Sequence, residues 1–328
     1  MSKTRRALLA AIPGAVPGIL AAPALRAQER PFPNRPVTLV AGGSAGGPTD
    51  VISRLVAEGM ARDLGQPVVI ENVAGTVFSA GRAHAARPDG YTVLNTNIGF
   101  AASATMYRRL PYSVTGSFEP LGLVSEAAMT VVSRPGFPAD DIAGYLAVMR
   151  REGDRLNLAH SGVGSSSHLC AMLLQGAAGA AATTVAYRGS APITTELMAG
   201  RVDIFCDQVT NTLPYIRDDR FPAYAVTGEA RVPGLDVPTM AEAGYPGATM
   251  TTWHGLFAPV GVPEPILDRL SAALRAALRE ERLRGRFADL ITEPASQERA
   301  TRAFHRRFHA EEVARWRPVI QAAGTYAD

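Results

Sequence analysis

From Pro36 onward, short β-branched runs alternate with stretches whose apolar residues recur every three or four positions. By this pattern Val37–Val40 is a strand, Asp50–Leu64 a helix with Ile52, Leu55, Val56, Met60 and Leu64 on one side, and Val68–Ile70 and Tyr91–Asn95 are strands again. A second series starts after Glu126. It predicts strands at Thr130–Val132, Leu156–Ala159, Val202–Cys206 and Tyr224–Thr227, with helices around Ile142–Arg151 and from Ser167 to Gln175. A turn-rich stretch, Gly228 to Gly247, leads to a strand at Thr252–Pro259 and a long helix from Pro263 to about Glu280. That helix carries a stripe of Ile266, Leu270, Leu274 and Leu278 widened by Leu267 and Ala277. Phe304, Phe308, Val313, Trp316 and Ile320 mark a terminal amphipathic segment expected to pack back on the first half. No repeat with a period of about 20–50 residues shows. Parallel strands joined by helices need cover on both faces, so the fold class is layered α/β.

With 328 residues, 47% of them hydrophobic and 19% charged, the chain can fill two ordinary cores. Two lobes are expected, one from residues 28–128 plus 253–328 and the other from 129–252, around a ligand cleft. The first 27 residues hold Lys3, Arg5, Arg6 and Arg26 and no acid; without these four cations the formal net charge of +3 becomes −1. A near-neutral chain offers no basic face for nucleic acid. Lys3, Arg5 and Arg6 followed by the weakly apolar Ala7–Ala24 read as a leader peptide cleaved after Ala27, which implies export to the periplasm. The Arg5–Arg6 pair suggests the twin-arginine route, with ordinary secretion as the alternative. No other stretch reaches about 18 uninterrupted apolar residues, so the mature chain is expected to be soluble. Cys170 falls in a predicted helix and Cys206 near a strand end; spacing does not decide whether they pair, and we read them as two buried free thiols. The histidines are scattered, so neither a metal nor another cofactor is expected.

Two glycine-rich turns carry the chemistry. Ala41-Gly42-Gly43-Ser44-Ala45-Gly46-Gly47-Pro48-Thr49-Asp50 and His160-Ser161-Gly162-Val163-Gly164-Ser165-Ser166-Ser167-His168 each follow a strand and open a helix, one in each half. Glycines there let the backbone turn sharply and leave amides unshielded, and the positive end of a helix attracts an anion. Either turn alone is also an ordinary connection; the pair suggests two clamps facing across a cleft. The first lacks the Walker lysine and the second lacks a third glycine at dinucleotide spacing, which argues against a nucleotide. Gly42-Gly43-Ser44-Ala45-Gly46 does fit a nucleophile elbow, so the rival reading is a hydrolase with Ser44 attacking, His168 or His254 as base and Asp207 as orienter. Against it, the elbow would stand on the first strand, with none before it to supply the usual oxyanion loop. Catalysis is therefore not expected.

The chain resembles the substrate-binding receptors of the tripartite tricarboxylate transporter family, the Bug receptors. The likeness rests on Pro36-Val37-Thr38-Leu39-Val40, Ala45-Gly46-Gly47-Pro48-Thr49-Asp50, Gly65-Gln66-Pro67, Pro88-Asp89-Gly90-Tyr91-Thr92, Ser161-Gly162-Val163-Gly164-Ser165, Tyr187-Arg188-Gly189-Ser190-Ala191-Pro192 and Trp253-His254-Gly255-Leu256, spread over nearly the whole mature chain. The resemblance implies a two-lobed, monomeric periplasmic binding protein of type II-like architecture. It would close on a small carboxylate (a dicarboxylate, amino acid or aromatic acid) and deliver it to membrane permease subunits; a sensor docking on a signalling partner is the other outlet. Carried over, Ala45, Gly46, Thr49 and Asp50 form one half of the clamp, with Ser44 adding a hydroxyl, and Ser161, Gly162, Gly164, Ser165 and His168 form the other. Asp50 has a second reading as a helix-end charge and His168 as a structural first-turn residue. Tyr187, Arg188, Gly189 and Ser190 are placed on a loop at the cleft, where Arg188 pairs either with a distal carboxylate or with a neighbouring acid. Asp207 is placed to meet an amine. Where the family usually has Pro-Phe-Pro ahead of Ala-Gly-Gly, this chain has Gly42-Gly43-Ser44, and Phe78 is the candidate to replace the lost aromatic cover.

Overall fold

The computed structural model describes residues 31–324 and 326–328; the expected leader, residues 1–27, lies outside the described residues. The chain runs β1 (Val37–Ala41), α1 (Pro48–Leu64), β2 (Val68–Asn72), α2 (Thr76–His84), β3 (Thr92–Asn97), α3 (Gly99–Met106) and a long β4 (Phe118–Ser133). Then follow α4 (Ile142–Glu152), β5 (Asn157–His160), α5 (Ser166–Ala178), β6 (Thr183–Ala186), α6 (Ser190–Met198), β7 (Ile204–Gln208), α7 (Val209–Arg217) and β8 (Ala223–Val226). β9 (Thr251–Pro259), α8 (Glu264–Arg279), α9 (Glu281–Asp289), β10 (Glu293–Pro294) and α10 (Arg302–Ala323) complete it.

The strands join edge to edge in the order β2-β1-β3-β9-β4-β7-β5-β6, with β8 and β10 also paired to β4. Both ends of this sheet follow one plan. β2-β1-β3 and β6-β5-β7 are parallel trios with the earliest strand in the middle, and each strand is followed by a helix. The sequence shows no repeat, yet the architecture repeats. Parallel trios send their helices off from the carboxyl ends of the strands, where ligands of open α/β sheets are held.

β4 and β9 connect the two lobes. Phe118–Ala128 of β4 pairs antiparallel with β9, and Met129–Ser133 pairs with β7. At about 3.3 Å per residue its 16 residues reach about 50 Å, long enough to run through both lobes. Only Thr130–Val132 of this strand is legible beforehand, because Pro120 and Gly122 read as breakers. The strand absorbs them at a register shift between Pro120 and Gly122, and a second shift falls between Leu123 and Ser125.

α8 lays Leu267, Leu270, Leu274, Ala277 and Leu278 into a core shared with Ile52, Val56 and Met60 of α1. The helices cross closely because Gly59 faces Ala277, leaving no space for a larger residue. α10 packs on α3 and β4, but its buried side is turned from the expected stripe: His305, His309 and Glu312 are buried with Val313, Trp316 and Ile320, while Phe304 and Phe308 are half-buried. Glu312 accepts from the indoles of Trp253 at 2.9 Å and Trp316 at 3.3 Å, which satisfies a carboxylate in the interior.

Cys170 and Cys206 are disulfide-bonded, their Cα atoms 6.1 Å apart, so the reading of two free thiols is corrected. Linear spacing could not show that α5 packs on β7 with these two positions facing. No helix among the described residues is long and apolar enough to cross a membrane.

Candidate functional site

The carboxyl ends of the two parallel trios meet at a cavity of about 40 Å³, room for only a few water-sized groups. Six helix starts border it. From the first lobe come Gly47, Pro48 and Thr49 opening α1, Gly75 and Thr76 opening α2, and Asn97 ahead of α3. From the second come Ser165 and Ser166 opening α5, Gly189 and Ser190 opening α6, and Gln208 ahead of α7. First-turn amides have no intrahelical acceptor, and aligned peptide dipoles make each start positive. The lining is otherwise hydroxyl, amide and glycine, with Asp207 the one ionisable side chain. Such a lining stabilises an anion without a fixed counter-charge.

Glycine is demanded where the lobes touch. Gly189, at φ 106°, meets the Ser44 side chain across the cleft, and Gly99 meets the Gly164 carbonyl; a β-carbon at either would collide. The Tyr107 hydroxyl donates to the Val163 carbonyl at 3.1 Å. The Ser44 hydroxyl is buried in the cavity wall with no hydrogen-bond partner among the described residues, which leaves it available to a guest.

Of the residues singled out in the sequence, Ser44, Thr49, Ser161, Ser165, Gly189 and Asp207 line this cavity. Ala45 and Gly46 sit exposed on the crest of the first turn. The Asp50 carboxylate faces inward to its own loop, accepting from the Gly46 amide at 2.8 Å, Asn72 at 2.8 Å and Arg54. Burial pushes its pKa upward, but those hydrogen bonds and the Arg54 charge outweigh it and hold the group below the usual carboxylate range. His168 is turned under the second turn, where its Nδ1 accepts from the Gly164 amide at 3.1 Å; His160 Nδ1 takes the Gly162 amide at 3.3 Å. The two rings lie 4.3 Å apart with their planes tilted by 36°, and burial pushes His168 down to about 4 and lowers His160 as well, so the pair is neutral at pH 7 and braces the turn. Tyr187 packs half-buried on the core around Ile193, and Arg188 is exposed outside the cavity. Phe78 is 72% exposed and does not line the cavity, although its ring lies against Gly75, which does.

The glycine amides, expected to be donors, are largely spent inside the protein. Gly42 donates to Asn95, Gly43 to Ala41, Gly47 to Ser44 and Gly189 to Ser161. A chain that turns this sharply closes its own hydrogen bonds, so the donors left for a guest are hydroxyls and first-turn amides. Ser190, expected at the cleft, lines the cavity, and so do Thr76, Asn97, Ser166 and Gln208, which the sequence did not single out. Each stands at a strand end or helix start, and the strand-then-helix rhythm that exposed the two glycine turns holds for them as well.

Asp207 is buried at the end of β7, accepting from Asn211 at 2.8 Å and from Ser190 and the Gln208 amide. Burial pushes its pKa up to about 6 against the effect of these bonds. His254 is fully buried behind Thr49: its Nε2 lies 3.2 Å from the Thr49 hydroxyl and its Nδ1 3.4 Å from the Ser125 hydroxyl. With His168 and His254 thus engaged, no imidazole among the described residues hydrogen-bonds to Ser44, and the proposed hydrolytic grouping is not assembled. No group of three or more His, Cys, Asp or Glu among the described residues could hold a metal.

Two α/β lobes on a shared pair of strands, with helix starts converging on the cleft, define the class of two-lobed periplasmic binding proteins. The sequence model for the tripartite tricarboxylate transporter family receptor matches residues 52–325, and the chain belongs to that family. A UPF0065 protein of Agrobacterium vitis is 41% identical over 297 residues, 89% of this chain and 86% of its own. The solved periplasmic binding protein BugD superposes with a TM-score of 0.87 at 37% identity, covering 90% of this chain and all of its own. MatC of Rhodopseudomonas palustris, solved with bound malate, gives a TM-score of 0.85 at 36% identity over 88% of this chain and all of its own.

Proposed function

We propose that the protein is an exported receptor that captures a small carboxylate between its lobes, leaves it chemically unchanged and hands it to the permease subunits of a tripartite tricarboxylate transporter. The observation that carries this reading is the convergence of six helix starts, three from each lobe, on a cavity whose wall includes an unpartnered serine hydroxyl. The malate held by MatC supports an organic acid as the guest. In this reading the lobes are residues 28–128 plus 253–328 and 129–252, the chain acts as a monomer, and residues 1–27 direct it to the periplasm.

The carboxylate is held by the hydroxyls of Ser44, Thr49 and Ser161 and by first-turn amides of α1 and α5, while Asp207 faces the rest of the guest. A captured acid holds the lobes further apart than they stand around about 40 Å³, with β4 and β9 flexing as the guest enters. Closure on the guest presents the lobe surfaces in the arrangement a permease recognises.

Titration calorimetry against malate, succinate, adipate, aspartate and benzoate tests this. At least one should bind at a single site, with no product released on prolonged incubation. Binding of none of them, or turnover of an ester by Ser44, overturns the proposal.

A further inference from the structure

His254 occupies a singular place. It lies on β9 opposite Asn97 of β3 on one side and Ser125 of β4 on the other, so three neighbouring strands contribute one polar residue each to a single row, fully buried at His254 and Ser125 and half-buried at Asn97. Thr49, at the start of α1, caps the row and is its one member with both a hydroxyl and a place in the cavity wall. Asn97 Nδ2 donates to the Thr49 hydroxyl oxygen at 3.4 Å. The row sits beside the register shift between Leu123 and Ser125, on the strand that links the lobes.

Burial pushes His254 down to about 4, so at neutral pH the ring carries one proton, and hydrogen-bond accounting decides where. Ser125 is fully buried, and the one hydrogen-bond partner of its hydroxyl among the described residues is His254 Nδ1. With the proton on Nδ1, the Ser125 hydrogen would have no acceptor. With the proton on Nε2, Ser125 donates to Nδ1 and Nε2–H donates to Thr49. An unsatisfied buried donor is the costlier outcome, so the second arrangement is favoured. Thr49 then receives hydrogen bonds from both Asn97 and His254, which leaves its own hydrogen directed to the cavity.

We propose that Ser125 and His254 are positioning residues of the receptor: they fix the imidazole as its Nε2–H tautomer and so hold the Thr49 hydroxyl as an obligatory donor to the captured anion. This selects for an ionised acid over its amide or ester, which would bring a poorer acceptor to that point. The inference rests on the reading of the cavity as the anion site, although the tautomer itself does not.

Two measurements separate the parts. Long-range proton–nitrogen NMR of the 15N-labelled, ligand-free full chain should show His254 protonated on Nε2, and Ser125→Ala, outside the cavity, should shift the ring towards a mixture of tautomers. A ring protonated on Nδ1 overturns the proposal, as does a spectrum indifferent to Ser125→Ala. Malate titrations then test the link to binding. Thr49→Val should weaken malate by about tenfold to a hundredfold, the value of a hydrogen bond to a charged group. His254→Leu should cost as much alone but add little on top of Thr49→Val. His254→Gln, whose amide N–H can take the place of Nε2–H, should recover most of that loss. Additive losses from Thr49→Val and His254→Leu contradict the relay. Full malate affinity in Thr49→Val, or no malate binding by the parent protein, counts instead against the anion site, while the ring spectrum still decides the tautomer.

Discussion

Ser44 and Gly189 face each other where the lobes meet, one with an unpartnered hydroxyl and the other with a backbone angle that only glycine adopts freely. Gly189→Ala should bring a β-carbon into Ser44 and strain the turn that opens α6, so titration with the acid that binds best should show affinity falling by about tenfold or more. Asp207 has the opposite character, a carboxylate kept among positive helix ends. Because burial raises its pKa to about 6, a rising fraction is neutral as pH falls from about 7.5 towards 6, and repulsion of a dicarboxylate falls with it. Malate should therefore bind more tightly at the lower pH, and Asp207→Asn should abolish the dependence; His168 and His254, pushed to about 4, do not titrate there. An unchanged pH profile in Asp207→Asn would place the guest away from this group. Legibility at this scale was uneven. Ser44, Thr49, Ser161, Ser165, Gly189 and Asp207, singled out from glycine-rich turns, a resemblance and a strand end, line the cavity, while Asp50 and His168, singled out with them and each also read as structural, turn to partners within their own loops. That distinction depends on partners such as Arg54, Asn72 and the Gly164 amide, which only folding brings near.

At the scale of elements, the site belongs to the parallel trios more than to any loop. β1, α1, β5, α5 and the long α8 were legible because their apolar periods are clean and their boundaries carry glycine or proline. β4 was legible only at its end, and the short helices α2, α3, α6 and α7 were not, since eight or nine residues hold too few turns to show a period. The disulfide joins two elements that carry site residues: Cys206 precedes Asp207, and Cys170 lies one turn beyond Ser166. With a sequence separation of 36, loss of the cross-link should lower stability by about 4 kcal/mol on the chain-entropy account. Urea unfolding of a Cys170→Ala/Cys206→Ala variant measures this. Loss of malate affinity beyond loss of fold would show that the bond also holds β7 and α5 in register for the guest.

At the scale of the molecule, the buried histidines make stability depend on acid. Burial pushes His168, His254 and His309 from 6.5 down to about 4, so the folded state favours the neutral rings. The stability this contributes is complete above the unfolded value of 6.5 and is lost as pH falls towards 4. Asp207 acts in the opposite sense, since its raised pKa favours folding as pH falls from about 6, but it is one group against five, His160 and His305 being lowered by burial as well. The urea midpoint should accordingly fall between about pH 7 and pH 5, and a midpoint that rises would show that these rings are not held neutral.

The central claim is that one negative charge is held by donors from both lobes at once. A crystal structure of the complex with whichever acid binds best tests it most directly. The carboxylate should lie within hydrogen-bond distance of the Ser44 or Thr49 hydroxyl on one side and of Ser161 or the α5 start on the other. A carboxylate held by one lobe alone, or by arginines outside the cleft, would contradict the account.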